Sequence, residues 1–525
     1  MTGIPLKPTY NLWDEPWIPL EGQSGVVERR GIAQTLAGAH VLRGISESSP
    51  LVVVGLLRLL IAVLQDALAP QEACDLLSLW AAGRFPEARL KDFGVQFRER
   101  FDLFSAGCPF LQCSDLGLAP TKEDRVKSVG YLAPEMPTGS EITHYRHGGG
   151  AGYTLCPACA ARGLVTMSAF ATSGGAGIKP SINGVPPIYV MPQGETLFAT
   201  LTASLICPPF QPKTATTVDD RAWWRRDAWL GRGEETLDVG YVHSLTFAAR
   251  RVRLHPQLLN EHCMRCGEST AWGVRTMVFD MGECRPKGAP FWQDPFAAYH
   301  VPQKGNPIPV RPQEGKALWR EYASLFLTEP ESSGRLRPRV LDQLGTLYDL
   351  VEQGLAPAIP AMAYRCVGLR TDMKAKVFEW VDGVLDVPPG LLRSTKGGYE
   401  VIGAIGYATD CAKALREVFR AAFARGNKGS ERYANLRTRA EGAYWRSLAQ
   451  PFRQLVLSAG ASEVIAEARA RWAKQVKREG EACYQKAAES VGDDADSLRR
   501  RYEGELRLGA RLGKLRKEYL GNDGA

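Results

Sequence analysis

Two cysteine pairs constrain this chain more than any other feature: Cys156-Pro157-Ala158-Cys159 and Cys263-Met264-Arg265-Cys266. Two residues between thiolates let both sulfurs of a knuckle reach one tetrahedral Zn²⁺, at about 2.3 Å each. Two such knuckles complete a closed Cys₄ site, which leaves no position for water or substrate and is therefore structural. The knuckles are far apart in sequence, much farther than in a compact zinc ribbon. A shared ion would clip two remote segments of the middle region together. A redox role is the rival reading for either knuckle alone, and two knuckles weigh against it. His144, His147 or His262 is an alternative ligand in place of one sulfur.

The rest of the composition sets the context. Twelve cysteines in 525 residues are far too few for a disulfide scaffold. Met1 to Tyr10 holds no apolar signal core, so the sequence predicts a cytoplasmic protein, where clustered cysteines read as ligands. The longest apolar run, Leu51 to Leu64, is interrupted by Arg58 and falls short of the roughly 18–20 residues of a membrane span. No membrane role is expected. Hydrophobic residues at 45% and charged residues at 23% exclude a mainly disordered chain.

The texture changes along the chain. Residues 1 to about 105 mix a strand-like opening with helices, and Pro50 starts an all-round apolar helix. Residues 106 to 390 are rich in Gly and Pro, with short apolar runs such as Pro187–Val190 and Arg275–Phe279. From about 395 proline almost vanishes. Four helices are expected near 399–425, 429–458, 461–490 and 495–520. Ile465, Ala468, Trp472, Val476, Cys483 and Ala487 form the stripe of the third, and Trp445, Leu448, Phe452 and Leu455 that of the second. The expected fold is α+β: a large irregular N-terminal α+β domain over 1–390 with a zinc-clipped middle region, and an antiparallel four-helix bundle over 391–525. That last segment carries 26 basic and 17 acidic residues, against 39 and 40 in the remainder. All the net positive charge sits in the bundle. It reads either as a footprint for polyanion binding or as a solvated helical surface.

Glycine-rich segments flank the first knuckle, Gly148-Gly149-Gly150 before it and Gly174-Gly175-Ala176-Gly177-Ile178-Lys179 after it. Backbone without side chains approaches a nucleic-acid groove closely, and neighbouring Arg, His, Tyr and Lys supply charge and stacking. Such segments are also ordinary turns. Neither is a phosphate-binding P-loop, and no nucleophile elbow, His-Glu-x-x-His or dinucleotide fingerprint is present.

With these features in order, the chain resembles the large subunit of the type I-E CRISPR Cascade complex, the CasA family. The landmarks are Asn11-Leu12-Trp13-Asp14-Glu15-Pro16-Trp17-Ile18-Pro19, Ser49-Pro50-Leu51 with its apolar helix, Pro109-Phe110-Leu111-Gln112, the two knuckles, the glycine segment and the helical C-terminus. The resemblance covers nearly the whole chain. It implies a non-catalytic protein that recognises the protospacer-adjacent motif in double-stranded DNA. It also implies help in starting unwinding and R-loop formation, and positioning of a recruited helicase-nuclease. Implied partners are the other Cascade subunits, the guide RNA, target DNA and that helicase-nuclease. The resemblance places Cys156, Cys159, Cys263 and Cys266 on structural zinc, and Gly174, Gly175, Ala176 and Gly177 in the minor groove. Lys179 stands at phosphate, and Arg285 or Lys287 takes the place of a family lysine. Tyr145, Arg146 and His147 fall in a loop that touches guide RNA or a neighbouring subunit. Asp372, Met373 and Lys374 occupy the strand-separating hairpin, with Met373 where the family often has glutamine. An apolar wedge still unstacks a base step; the alternative is a core methionine. A zinc-dependent nucleic-acid-processing enzyme acting alone is the competing reading, disfavoured by the lack of a catalytic set.

Overall fold

A computed structural model describes residues 7–116, 126–133, 152–172, 178–213, 219–227, 229–327, 334–371, 377–393, 395–423, 430–460 and 465–521. It is a mixed helix-and-sheet fold in two units. One comprises Met1–Pro312 with Gly334–Val384, the other Gln313–Ser333 with Leu385–Ala525.

The first unit opens on a small antiparallel sheet of β1 (Ile18–Gly22), β2 (Val27–Arg30) and β3 (Leu42–Ile45), with β1 central. Helix α1 (Pro50–Leu68) follows, with Pro50 in its first turn. At 19 residues it is longer than the apolar run suggested, and by length and composition it is long enough to cross a membrane. It is instead the core helix of the unit, buried along almost its whole length. Arg58, which breaks the apolar run, is fully enclosed and pairs with Asp294 at 2.9 Å, under the ring of Tyr189. A buried cation is tolerated only when so matched.

Gly55 sets the packing of α1 against α2 (Pro157–Phe170). A Cβ on Gly55 would lie 2.9 Å from Thr166 Cα, so the two helices cross at backbone contact. Behind α2 lies a sheet of β4 (Val126–Ser128), β6 (Arg250–His262) and β7 (Ser269–Met281), with β7 central, and β5 (Tyr189–Gln193) belongs to a second sheet. In that second sheet β5 pairs with β8 (Ala363–Thr371), and β8 with the edge strand β9 (Val377–Asp386). The β6–β7 hairpin is 13 residues long on each side. Its register shifts at His255/Pro256, where proline has no N–H for the ladder.

Among the described residues, the second unit holds five long helices in its C-terminal run, not four. These are α3 (Thr395–Phe423), α4 (Ser430–Ser447), α5 (Ala449–Gly460), α6 (Ile465–Ala488) and α7 (Ala495–Leu520). The expected 429–458 helix breaks at Leu448 because Pro451 cannot donate to the carbonyl of Ser447. Trp445, Leu448, Phe452 and Leu455 are buried as expected. On α6 the stripe runs Trp472, Val476, Gly480, Tyr484 and Ala488, so Cys483 and Ala487 flank it rather than form it. Residues 313–333 join this unit through Trp319, whose ring lies 4.7 Å from Phe452 and 5.6 Å from Trp445.

Candidate functional site

The segment before α2 is tied to the β6–β7 hairpin by backbone. Leu155 exchanges hydrogen bonds of 3.0 and 2.9 Å with Val274, along the same edge of β7 that β4 uses. Met264 N donates to Thr154 O at 2.9 Å. Cys156 then caps α2, its sulfur accepting from Cys159 N at 3.4 Å. A Cys-Pro opening does this naturally, since proline at the first helical position sacrifices no hydrogen bond. The second knuckle is the hairpin turn itself. Cys263 N donates to Glu268 O, and Gly267, at φ +75°, donates to Cys263 O. The left-handed position accounts for the glycine directly after Cys266.

These constraints bring all four sulfurs within 4.8 Å of one another. Cys156, Cys159 and Cys263 are buried and Cys266 is partly so. The Cys156–Cys266 sulfur distance is 3.8 Å. A tetrahedron with metal–sulfur bonds of about 2.3 Å has edges of about 3.8 Å, so the donor set fits a four-coordinate thiophilic metal. Hydrogen bonds from Cys156 and Cys159 pull the Cys263 and Cys266 thiols well below their usual range. The same contacts push Cys159 far up. The thiols thus share protons that a bound metal would displace. The N-terminus of α2 adds its partial positive charge beside them.

The surroundings of the cluster are charged yet enclosed. Arg162 Nη2 donates to Cys159 Sγ at 3.1 Å, and its Nη1 pairs with Glu47 at 2.6 Å. Arg265 stands 3.7 Å from the other Glu47 oxygen. Burial works to raise the Glu47 carboxyl, and the two guanidiniums overcome it and hold it below its usual range. Sequence reasoning missed all three. Arg162 follows Cys159 by three residues, and that helical spacing was the available signal.

A second constellation surrounds the glycine segment. Gly174, Gly175, Ala176 and Gly177 lie outside the described residues, as do Tyr145, Arg146, His147, Asp372, Met373 and Lys374. The two ends of the glycine segment are described. Buried Arg250 spans them, with Nη1 donating to Lys179 O at 2.8 Å and Nη2 donating to Thr172 O. Burial lowers the Arg250 guanidinium to about 10. Lys179 Nζ reaches Glu235 at 3.3 Å and Cys284 Sγ at 3.5 Å. Arg285, next in chain to Cys284, donates to the carbonyls of Leu237 and Pro290. The structure therefore brings Lys179 onto Cys284, turns the Arg285 guanidinium onto backbone carbonyls one residue further on, and leaves Lys287 exposed on the turn that follows. Arg250 and Glu235 were not among the expected residues. An arginine opening a strand carries no sequence mark of what its side chain will hold.

Glu283 underpins this region. It is 0% exposed and accepts from Arg226 at 2.9 and 3.2 Å, from Thr236 Oγ1 at 3.3 Å and from Ala248 N at 3.3 Å. His243 Nε2 lies 3.1 Å from its second oxygen.

Comparison with known proteins gives one result. Residues 11–483 match the family model of the CRISPR-associated protein Cse1. The chain is 29% identical to the CRISPR-associated protein CasA/Cse1 of Thermus thermophilus, over 97% of this chain and 98% of that one. The solved structure of T. thermophilus CasA (Cse1) is similar with a TM-score of 0.76 at 26% identity, covering 96% of this chain and 99% of that one. Cse1 from Acidimicrobium ferrooxidans gives 0.79 at 23% identity, with 98% and 100% covered. A chain of a solved CRISPR RNA-guided surveillance complex gives 0.74 at 17% identity, with 95% and 99% covered.

Proposed function

This chain belongs to the CRISPR-associated Cse1 family, and from that premise we propose that it is the non-catalytic large subunit of a type I-E CRISPR RNA-guided surveillance complex. It recognises the protospacer-adjacent motif in double-stranded DNA, helps to start unwinding and R-loop formation, and positions a recruited helicase-nuclease. Guide RNA held by partner subunits reads the remaining sequence by base pairing. The observation that carries this reading is the family match across residues 11–483.

The residues take these roles. Gly174 to Gly177 enter the minor groove, about 6 Å wide, where a bare backbone fits. Lys179, Arg285 and Lys287 face phosphate. Asp372, Met373 and Lys374 separate the strands. Tyr145, Arg146 and His147 meet guide RNA or a neighbouring subunit. Cys156, Cys159, Cys263 and Cys266 hold a structural zinc, and Arg162 offsets part of the negative charge of the four thiolates. Four protein sulfurs leave that ion no open position, which is what favours a structural role over a zinc enzyme.

The test is gel-shift binding of a target duplex by the guide-loaded partner complex, with and without this chain. Each arm uses an intact and a scrambled adjacent motif. The chain is expected to raise affinity for the intact motif alone. An equal rise for both would make it a charge-driven clamp and end the motif-reading assignment.

Arg250 offers a sharper variant. Its guanidinium bridges both ends of the glycine segment, so Arg250→Met releases them together. Discrimination between intact and scrambled motifs is expected to fall by roughly 5- to 150-fold, the worth of one misread base pair. Binding to the scrambled duplex stays the same, since a buried side chain makes no phosphate contact. Unchanged discrimination in a folded Arg250→Met chain would remove Arg250 from the account.

A further inference from the structure

Strand β9 places an unusual row of side chains in solvent. Phe378 is 53% exposed and Trp380 44%, and Val377 and Val384 are exposed as well. No other stretch of eight described residues exposes four large apolar side chains. Scattered exposed apolar residues need no explanation, whereas a contiguous row does. Among the described residues the row lies on an edge strand, with β8 on one side only.

Its chemistry is specific. Phe378 and Trp380 are alternate residues of one strand, so they share a face and sit about 6.8 Å apart along it. Bases stack at about 3.4 Å per step. The spacing of the two residues along the strand is two such steps. The guanidinium of Arg370 lies 4.7 Å from the centre of the Phe378 ring. The two nearby carboxylates are both engaged, Glu379 by Arg370 at 2.7 Å and Asp382 by Arg365 at 2.8 Å through both oxygens. Neither presents an unmatched negative charge to a phosphate chain. Flat aromatic faces on a strand, a guanidinium alongside and neutralised acids are the ingredients of single-strand recognition by stacking.

We propose that Phe378 and Trp380 form a stacking platform for one or two unpaired bases of single-stranded nucleic acid. The inference rests on the reading that the segment just before it in the chain opens duplex DNA: β9 begins at Val377, three positions after Lys374, the last residue assigned to that step. The platform receives a base once it has left the helix, which stabilises the opened state without reading sequence, because every base has a π-face.

The experiment uses the full chain in the guide-loaded complex. The probe is a target duplex with a short pre-opened bubble beside the motif and 2-aminopurine on either strand of the bubble. Stacking on an aromatic ring quenches 2-aminopurine fluorescence. Quenching is expected with the wild type and with Phe378→Tyr/Trp380→Phe, which keeps both rings. It is expected to be lost with Phe378→Ala/Trp380→Ala, together with roughly tenfold or greater weakening of bubble binding. The slope of affinity against salt stays unchanged, since no phosphate contact is removed. Both side chains are exposed, so the melting temperature of the variants serves as the folding control. No quenching with the wild type, or equal quenching with the alanine pair, overturns the platform. Loss of the partner subunits with bubble binding intact overturns it too, by making the row a protein-docking face. The intact-versus-scrambled comparison on closed duplex runs in parallel. A wild type that reads the motif without quenching refutes the platform alone, and one that reads no motif refutes the functional reading.

Discussion

Stripping zinc from the full chain is expected to release one ion per molecule and to unfasten the segment before α2 from the β6–β7 hairpin. Structural zinc in small domains contributes about 10–16 kcal/mol of apparent folding energy, an upper bound here because Leu155 and Val274 still pair. The amides of Leu155, Met264 and Val274 are expected to exchange with solvent at least a hundredfold faster after chelation. Cys159→Ser/Cys263→Ser is expected to reproduce the change without chelator. Metal analysis and hydrogen exchange on the same sample decide the matter. A double variant with wild-type melting and protected amides would show that the sulfurs hold nothing that matters to the fold. Ligands must be deprotonated to bind, so zinc is lost progressively as the pH falls.

The second large effect belongs to Glu283. Burial alone raises its carboxyl. The hydrogen bonds and charges of His243 and Arg226 outweigh that and bring it from 4.5 to about 2. Its folded value lies below its unfolded one. The stabilisation is therefore complete above pH 4.5 and is lost as pH falls through about 2. At 1.36 kcal/mol per unit the difference corresponds to about 3 kcal/mol. Glu283→Ala leaves the Arg226 guanidinium without its carboxylate and is expected to cost about 3–5 kcal/mol at neutral pH. Denaturant midpoints measured from pH 7 down to pH 3 check the sign: the gap between wild type and Glu283→Gln narrows as acid is added. A gap that is constant across this range would mean that Glu283 acts by packing rather than by charge. Because Cys284 follows it and touches Lys179, the loss is also expected to loosen the neighbourhood of the glycine segment.

Much of this was readable from the sequence, and the reasons differ by residue. The cysteine quartet was legible because a two-residue spacing has few purposes in a chain with so few cysteines. The apolar helix after Pro50 was legible as buried from its composition, although its length was underestimated. Arg58 interrupts the apolar pattern, and its partner Asp294 lies 236 positions away, where no local rule looks. The break between α4 and α5 had a visible cause in Pro451, which the apolar stripe on both sides concealed. Residues 313–333 carry no change of texture, so their association with the C-terminal helices is a matter of tertiary packing by Trp319. Arg250, Arg162 and Glu283 look like ordinary surface charges in sequence. Their roles come from burial, which periodicity records for apolar residues and not for single charged ones. The role of Gly267 went unread, because its left-handed backbone, which lets the chain turn after Cys266, shows only once the hairpin is seen.

The four-sulfur cluster also has a bearing on how the protein is made. Cys156 and Cys159 leave the ribosome well before Cys263 and Cys266, by about 5–20 s at elongation rates of roughly 5–20 residues per second. Throughout that interval the first pair lacks the two sulfurs that complete the cluster, and α2 is held by residues already made, through its backbone-level contact with α1 at Gly55 and the Arg162–Glu47 ion pair. Closure of the four-sulfur cluster therefore waits until the β6–β7 hairpin has been made. A pause in translation between the two knuckles would lengthen the period in which its thiols stand open to oxidation.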